Sequence, residues 1–260
     1  MSATQKTIII TGASSGLGAA LAEKYSLFGH KLFLIARSKE RLEKVAKKCR
    51  SNGANVNIIV LDITDYHESN KALTSILKNN NIDIVIACAG VSAGTLQGPE
   101  KIDQIRKIFS TNTDGVINTI TPVIPKMIKR GTGNIVIISS MAGLLGLSSA
   151  PSYSASKGAI RIFADALRGY LSKFNVHVTT VIPGYIKTPM TEVNNFPMPF
   201  MITAEKAANK IILAIEKNKS VVAFPLVMYL IMKLISIFPM WIWNFINSKL
   251  PGKPPFHDYE

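Results

Sequence analysis

The sequence predicts a doubly wound α/β domain, with a mostly parallel seven-stranded sheet covered by helices on both faces. Seven short β-branched runs alternate with longer helical patterns, several of these runs are apolar at every position, and a glycine-rich stretch directly follows the first. The chain of 260 residues is 47% hydrophobic and 18% charged, which excludes a disordered polymer and suffices for a sizeable core. That length exceeds the usual ~100–200 residues per domain, yet one α/β domain can use it.

The predicted strands lie at residues 6–11, 31–35, 56–61, 83–87, 134–138, 176–182 and 220–224. Runs such as Ile8-Ile9-Ile10 are continuous rather than alternating, as in strands buried on both faces of a parallel sheet. Helical patterns fill 17–28, 39–49 and 154–174, with Gly29 and Gly53 as C-terminal stops. No repeat, low-complexity tract or linker divides residues 1–224. Composition changes after Phe224, so 225–260 is read as an apolar C-terminal extension.

Thr11-Gly12-Ala13-Ser14-Ser15-Gly16-Leu17-Gly18 stands between the first strand and first helix. Glycines there allow a tight turn and close backbone approach to a pyrophosphate, and the helix N-terminus offers unpaired N–H groups. A tight packing turn is the bland rival; the position after a strand favours a Rossmann-like dinucleotide site. Such sites carry an acidic residue about 20 positions on to bind the ribose of NAD, or an arginine that accommodates the 2′-phosphate of NADP. Here the second strand ends Ile35-Ala36-Arg37-Ser38, without the carboxylate, and NADP is the expected cofactor. The rival for Arg37 is an exposed charge beside Lys39 and Arg41.

Tyr153 and Lys157 are four residues apart, on one helical face. A phenol with a pKa near 10 is a poor base at neutral pH, but an adjacent ammonium and an oxidised nicotinamide both favour its anion. It can then exchange a proton with an alcohol or carbonyl oxygen.

With these motifs in this order, and Ser140 thirteen positions before Tyr153, residues 6–224 resemble the short-chain dehydrogenase/reductase family. The resemblance implies that Tyr153 is the general acid/base, that Lys157 lowers its pKa and holds the nicotinamide ribose, and that Ser140 binds the reacting oxygen. Substrate contacts fall to Ser140 and Tyr153. It further implies that Asn112 completes a water-linked proton relay, that Asp62 contacts adenine, and that Thr188 lies near the carboxamide. Cofactor positions carried over are Gly12, Ser14, Ser15, Gly16, Leu17, Gly18, Arg37, Ser38, Asp62, Ile63, Ala89, Gly90, Tyr153, Lys157, Pro183, Ile186 and Thr188. Each has an ordinary rival, such as a helix pair, a turn serine or a cap; their joint occurrence in order favours a formed site. Cys88 departs from the pattern, standing where the family commonly has an asparagine that bridges backbone groups. A small buried thiol is expected there rather than a nucleophile.

Thirty basic against sixteen acidic side chains leave a formal charge of +14, compatible with nucleic acid, anionic lipid or a phosphorylated ligand. No nucleic-acid motif is present, and no nucleic-acid partner is expected. The two cysteines and four histidines have no metal or triad spacing, and no metal is expected. The apolar run at 7–11 is shorter than a signal-peptide core, so a reducing, cytoplasmic setting is expected.

The loop 189–201, rich in Met and Phe, either folds over an apolar substrate or packs on the core or a partner subunit. Residues 225–248 are apolar over nearly the ~20 residues that span a bilayer. Lys233 at the centre, with Pro225 and Pro239 around it, favours in-plane peripheral membrane contact over a span. Completion of the substrate pocket or of a subunit interface is the soluble alternative. The resulting expectation is an NADP(H)-dependent oxidoreductase that interconverts a carbonyl and a secondary alcohol on an apolar, lipid-like small molecule. Family resemblance adds a homo-dimer or tetramer through the helix of Tyr153. The alternatives are a catalytically weak nucleotide-binding sensor or a membrane-tethered adaptor.

Overall fold

The computed structural model describes residues 5–256. In chain order its first half contains β1 (Thr7–Thr11), α1 (Gly16–Ser26), β2 (Lys31–Ala36), α2 (Lys39–Ser51), β3 (Asn55–Val60), α3 (Tyr66–Asn79), β4 (Ile84–Ala87), α4 (Ile102–Phe109), α5 (Gly115–Ile120) and α6 (Ile124–Arg130). There follow β5 (Asn134–Ile138), α7 (Pro151–Leu171), β6 (His177–Pro183), β7 (Ile186–Lys187), α8 (Pro189–Glu192), β8 (Ile202–Thr203), α9 (Ala204–Glu216), β9 (Val221–Phe224), α10 (Leu226–Ile235) and α11 (Met240–Asn247).

Seven strands form one sheet in the order β3-β2-β1-β4-β5-β6-β9, and every pairing is parallel. The predicted seven-stranded, doubly wound class is therefore the observed one. Two cores account for the unbroken apolar runs. On one face Ile8 and Ile10 pack with Leu21 of α1, Val45 of α2 and Ile211 of α9. On the other, Ile9 and Ile135 pack with Leu73 of α3, Val116 of α5 and Ile160 of α7. Adjacent residues of one strand face opposite cores, so both must be apolar. The chain winds outward from β1 to β3 and returns beside β1 as β4. That reversal opens a crevice beyond the carboxyl ends of β1 and β4.

The helix anticipated at 154–174 begins three residues earlier and stops at Leu171. Pro151 suits a first turn because its φ is already helical and its missing N–H would be unpaired there. Glu100 completes the cap: its carboxylate accepts from the Ser152 N–H at 3.0 Å and hydroxyl at 2.8 Å. A 3₁₀ turn at Ser172–Phe174 and left-handed Asn175, φ 55°, end the element.

The C-terminal extension folds back on the sheet. Met232 of α10 is buried with Met141 and Ile182, and Trp243 of α11 is 7% exposed. Among the described residues no helix is long and apolar enough to cross a membrane.

Candidate active site

The turn after β1 is shaped by what cannot fit beside it. Gly12 has φ 67°, and a Cβ there would come within 2.7 Å of the Ala89 Cα. Gly16 has φ 53°, and its Cβ would meet the Thr188 side chain at 3.1 Å. A side chain on Gly18 would collide with the Gly12 carbonyl. The turn thus lies flat against the end of β4, and the N-terminus of α1, whose Ser15 makes no side-chain cap, opens into the crevice.

One groove runs from this turn past the end of β2 to the start of α7. Of the residues singled out from the sequence, all but Asn112 line it, so the glycine turn, Arg37, Asp62, Ser140, Tyr153, Lys157 and Thr188 share a single surface. Asn112 is fully buried just behind, on a π-helical turn, Ser110–Asp114, between α4 and α5. Its carbonyl oxygen accepts from the Val91 N–H at 2.8 Å, and its amide donates to Val91 O at 2.9 Å and Ser156 Oγ at 3.1 Å. Asn112 thereby ties the loop after β4 to α7. Gly90 permits this closeness, since a Cβ there would stand 3.1 Å from Asn112 Oδ1 and 3.3 Å from Lys157 Nζ.

Ser140 and the Tyr153 helix are held in register by the turn between them. Gly143 packs so tightly that a Cβ would approach the Lys157 carbonyl carbon to 2.6 Å. Ser139 donates from its hydroxyl to Lys157 O at 2.8 Å. The Lys157 ammonium donates to Ile138 O at 2.9 Å, at the very end of β5.

The electrostatics differ from the sequence expectation at one point. Tyr153 was expected to be acidified by Lys157, but burial raises its pKa, with hydrogen bonding to Ser140 pulling the other way. Burial also lowers Lys157 to about 8, so the ammonium keeps its charge at neutral pH and loses it just above. The phenol holds its proton as the site stands. Cys88 behaves as the small buried side chain expected, its thiol pushed up to about 12 by burial. The bridging role expected of an asparagine there falls partly to Thr11, whose hydroxyl oxygen accepts from the N–H groups of Cys88 and Ala89 at 3.2 and 3.3 Å.

At the other end of the groove, Ser38 caps α2 by accepting from the Arg41 N–H. Arg37 Nη1 lies 3.8 Å from Asp62 Oδ2. That pair is exposed and worth about 0–1 kcal/mol, leaving the guanidinium open to a stronger anion. Asp62 is itself oriented by the Thr64 N–H and hydroxyl, both donating to Oδ1. The donor set fits a nicotinamide dinucleotide: a side-chain-free turn and open helix N-terminus for the pyrophosphate, cations beside the β2 end, and Tyr153 with Lys157 at the far end.

Several participants escaped the sequence reading. Arg41, Val91 and Thr111 also line the groove; the sequence shows Arg41 only as a neighbouring charge. The loop 189–201 divides between its two readings: Pro189, Met190 and Thr191 reach the groove, Phe196 packs on Tyr185, and Phe200 and Met201 are exposed. His30 is a structural residue that accepts from the Lys6 N–H through Nδ1; His257 lies outside the described residues. No metal-ligand cluster occurs among the described residues.

The extension reaches this site as well. Trp243 Nε1 and Asn247 Nδ2 both donate to Gly146 O, at 2.9 and 3.0 Å, and Ser148 donates to Asn247 through its N–H and hydroxyl. Helix α11 is therefore pinned to the loop that joins Ser140 to Tyr153.

Known proteins share both sequence and fold. The family model described as short chain dehydrogenase matches residues 6–197. An uncharacterized oxidoreductase of Myxococcus xanthus is 33% identical over 85% of this chain and 87% of its own length. A dehydrogenase/reductase SDR family protein 7-like of Drosophila melanogaster is 34% identical over 72% of this chain, which corresponds to 59% of that protein. Among solved structures, a short-chain dehydrogenase from Sphingobium yanoikuyae in complex with NADPH superposes with a TM-score of 0.78 at 25% identity, covering 98% of each chain. With its parallel sheet, glycine turn and Ser140–Tyr153–Lys157 groove, this chain belongs to the short-chain dehydrogenase/reductase family of oxidoreductases.

Proposed function

We propose that the protein is an NADPH-dependent reductase of an apolar carbonyl compound, working reversibly on the secondary alcohol. The observation that carries this reading is the single groove joining the glycine turn and Arg37 to Ser140, Tyr153 and Lys157. A bound nicotinamide would supply the hydride. Gly12, Ser14, Ser15, Gly16, Leu17 and Gly18 would seat its pyrophosphate, and Ala89, Gly90, Pro183, Ile186 and Thr188 would flank it, with Asp62 and Ile63 beside the adenine. Tyr153 hands its proton to the carbonyl oxygen, a task suited to a phenol whose pKa is raised by burial. Ser140 orients that oxygen. Lys157 is fixed by Ile138 O so that its ammonium holds the ribose, and Asn112 acts as a positioning residue that locks the loop after β4 against α7.

NADPH is preferred in this reading because Arg37, Arg41 and Ser38 surround the place of the 2′-phosphate and the β2 tip carries no carboxylate. Arg37→Ala is expected to raise the KM for NADPH by about 10–100-fold, the worth of one charge-assisted hydrogen bond. NADH kinetics should stay within about twofold. Steady-state rates with a panel of apolar ketones and both cofactors test the whole reading. Absence of hydride transfer from either cofactor to every ketone would overturn it.

Residues 1–224 form the catalytic domain in this reading, and 225–248 bind a membrane surface peripherally. Support comes from the outer side of the extension, where Leu230, Ile231, Leu234, Phe238, Trp241 and Phe245 are exposed while Met232 and Trp243 face inward. Lys233 and Lys249 sit over the rings of Tyr229 and Phe245, placing cations at the rim of that apolar face. Co-sedimentation should favour vesicles containing phosphatidylserine over pure phosphatidylcholine, and Ile237→Ser with Trp241→Ser should weaken binding by at least about tenfold. Equal recovery of wild type and variant in the pellet would refute surface binding through this face.

A further inference from the structure

Beyond α11, residues 252–256 run back along the loop that follows β4. The Gly94 N–H donates to Pro254 O at 2.8 Å and the Leu96 N–H to Lys253 O at 2.9 Å. On the same loop, the Thr95 N–H donates to Ser149 O at 3.1 Å. Contact is close enough that a Cβ on Gly94 would come within 2.6 Å of the Lys253 Cβ and one on Gly252 within 3.0 Å of Leu96. Farther on, the Phe256 N–H donates to Gln104 Oε1 at 3.3 Å. This strap fixes the backbone of Lys253 on both sides, and its ammonium lies 5.5 Å from the centroid of the Tyr153 ring.

An ammonium in such a place is costly. Among the described residues no carboxylate lies within ion-pair distance of it, and Glu100, the acid that caps the start of α7, is engaged by Ser152 and Gln104. Burial drives its pKa down to about 8. A half-buried cation held on a fixed backbone over the ring of a reacting phenol, with no acid partner among the described residues, is arranged to receive an anion from elsewhere. The cofactor's charges fall at the opposite end of the groove, next to Arg37, so a cation over the ring of Tyr153, the group that protonates the carbonyl, belongs to the substrate side.

We propose that Lys253 is a specificity-determining residue that selects carbonyl substrates bearing an anionic group within a few bonds of the carbonyl, of which an oxo acid is the simplest kind. The inference rests on the carbonyl-reductase reading and narrows its substrate class from apolar to amphipathic. Its chemistry is a point charge on a fixed stem, which rewards an anion without dictating its geometry.

Two measurements separate this inference from the reading beneath it. The first is equilibrium binding of nonanoate and its neutral isostere nonanamide to the full chain by calorimetry. Wild type should bind nonanoate about tenfold or more tightly than nonanamide; Lys253→Met should bring that ratio near one with nonanamide affinity unchanged, and Lys253→Arg should keep it. The second is turnover of 4-oxononanoate against its methyl ester, where Lys253→Met should raise the KM of the acid alone. An unchanged ratio in Lys253→Met, or equal weakening of both ligands, overturns the role of Lys253 even if neutral ketones are reduced. Selective carboxylate binding without reduction of either ketone would leave the anion site standing and remove the reductase reading instead.

Discussion

Tyr153→Phe should lower kcat for carbonyl reduction by about 10²–10⁴-fold, the range for removal of a positioned general acid, while the dissociation constant for NADPH stays within about twofold. The substitution deletes one oxygen and leaves the ring, which packs at the start of a helix held by the Glu100 cap and the Gly143 contact. The pyrophosphate turn is a separate structure at the end of β1 and the remaining ring keeps its place in the groove, so affinity for the cofactor should change little. Single-turnover hydride transfer and fluorescence titration of NADPH separate the two quantities. Near-normal turnover in the variant would remove Tyr153 from the chemistry.

The pH profile adds a direction. A phenol raised by burial remains protonated at neutral pH, ready to act as the acid in reduction. Lys157, lowered to about 8, sheds its charge as the pH rises through that value. With a neutral ketone, whose binding does not call on Lys253, the kcat/KM for reduction should therefore be full below pH about 8 and fall above it. In Lys157→Arg the bend should move upward out of range, because a guanidinium does not deprotonate there. A bend that stays in place in that variant would assign it to another group.

What the sequence revealed and what it concealed divide along a physical line. The sheet was legible because a strand buried on both faces must be apolar at every position, as Ile8–Ile10 are, and because glycines at Gly12 and Gly16 are needed where φ is positive. The site was legible because Tyr153 and Lys157 lie one turn apart on one helix, so sequence distance fixes spatial distance. Three things were concealed for the converse reason. The pKa direction of Tyr153 depends on burial by residues remote in sequence. The capture of Val91 by Asn112 spans 21 positions. Above all, the return of residues 252–256 over the site has no period, cap or motif; Gly252-Lys253-Pro254 reads as any C-terminal coil until the hydrogen bonds from Gly94 and Leu96 show where it lies. In sequence the extension is compatible both with membrane contact and with pocket completion. Its two sides are chemically different, one packed on Met141 and Gly146 and the other an exposed apolar surface, and a helix read from composition alone does not reveal which side meets what.

Trp243→Ala should release the extension from the site while leaving the nucleotide half intact. Truncating a buried tryptophan to alanine costs about 3–5 kcal/mol, and here it also removes one of the two side-chain donors to Gly146 O. Whole-domain stability depends mainly on the two sheet cores, which contain no residue of α10 or α11. The loss should therefore appear as local opening rather than global unfolding. Amide exchange should quicken in α11, in the loop 144–149 and in the strap 252–256 together, because Ser148 and Ser149 link all three through Asn247 and Thr95. The strands should keep their protection. With the strap loosened, Lys253 is no longer fixed beside Tyr153, so KM for the carbonyl substrate should rise by about tenfold or more with NADPH affinity unchanged. Asn247→Ala, which cuts the side-chain bonds to Gly146 O and from the Ser148 N–H but spares the Ser148 hydroxyl's bond to the backbone carbonyl and the indole, should give the same pattern at smaller amplitude. Faster exchange confined to α11, with the strap still protected, would show that residues 252–256 are held by Gly94, Leu96 and Gln104 without help from α11. The substrate side would then be independent of the apolar face that α10 and α11 expose.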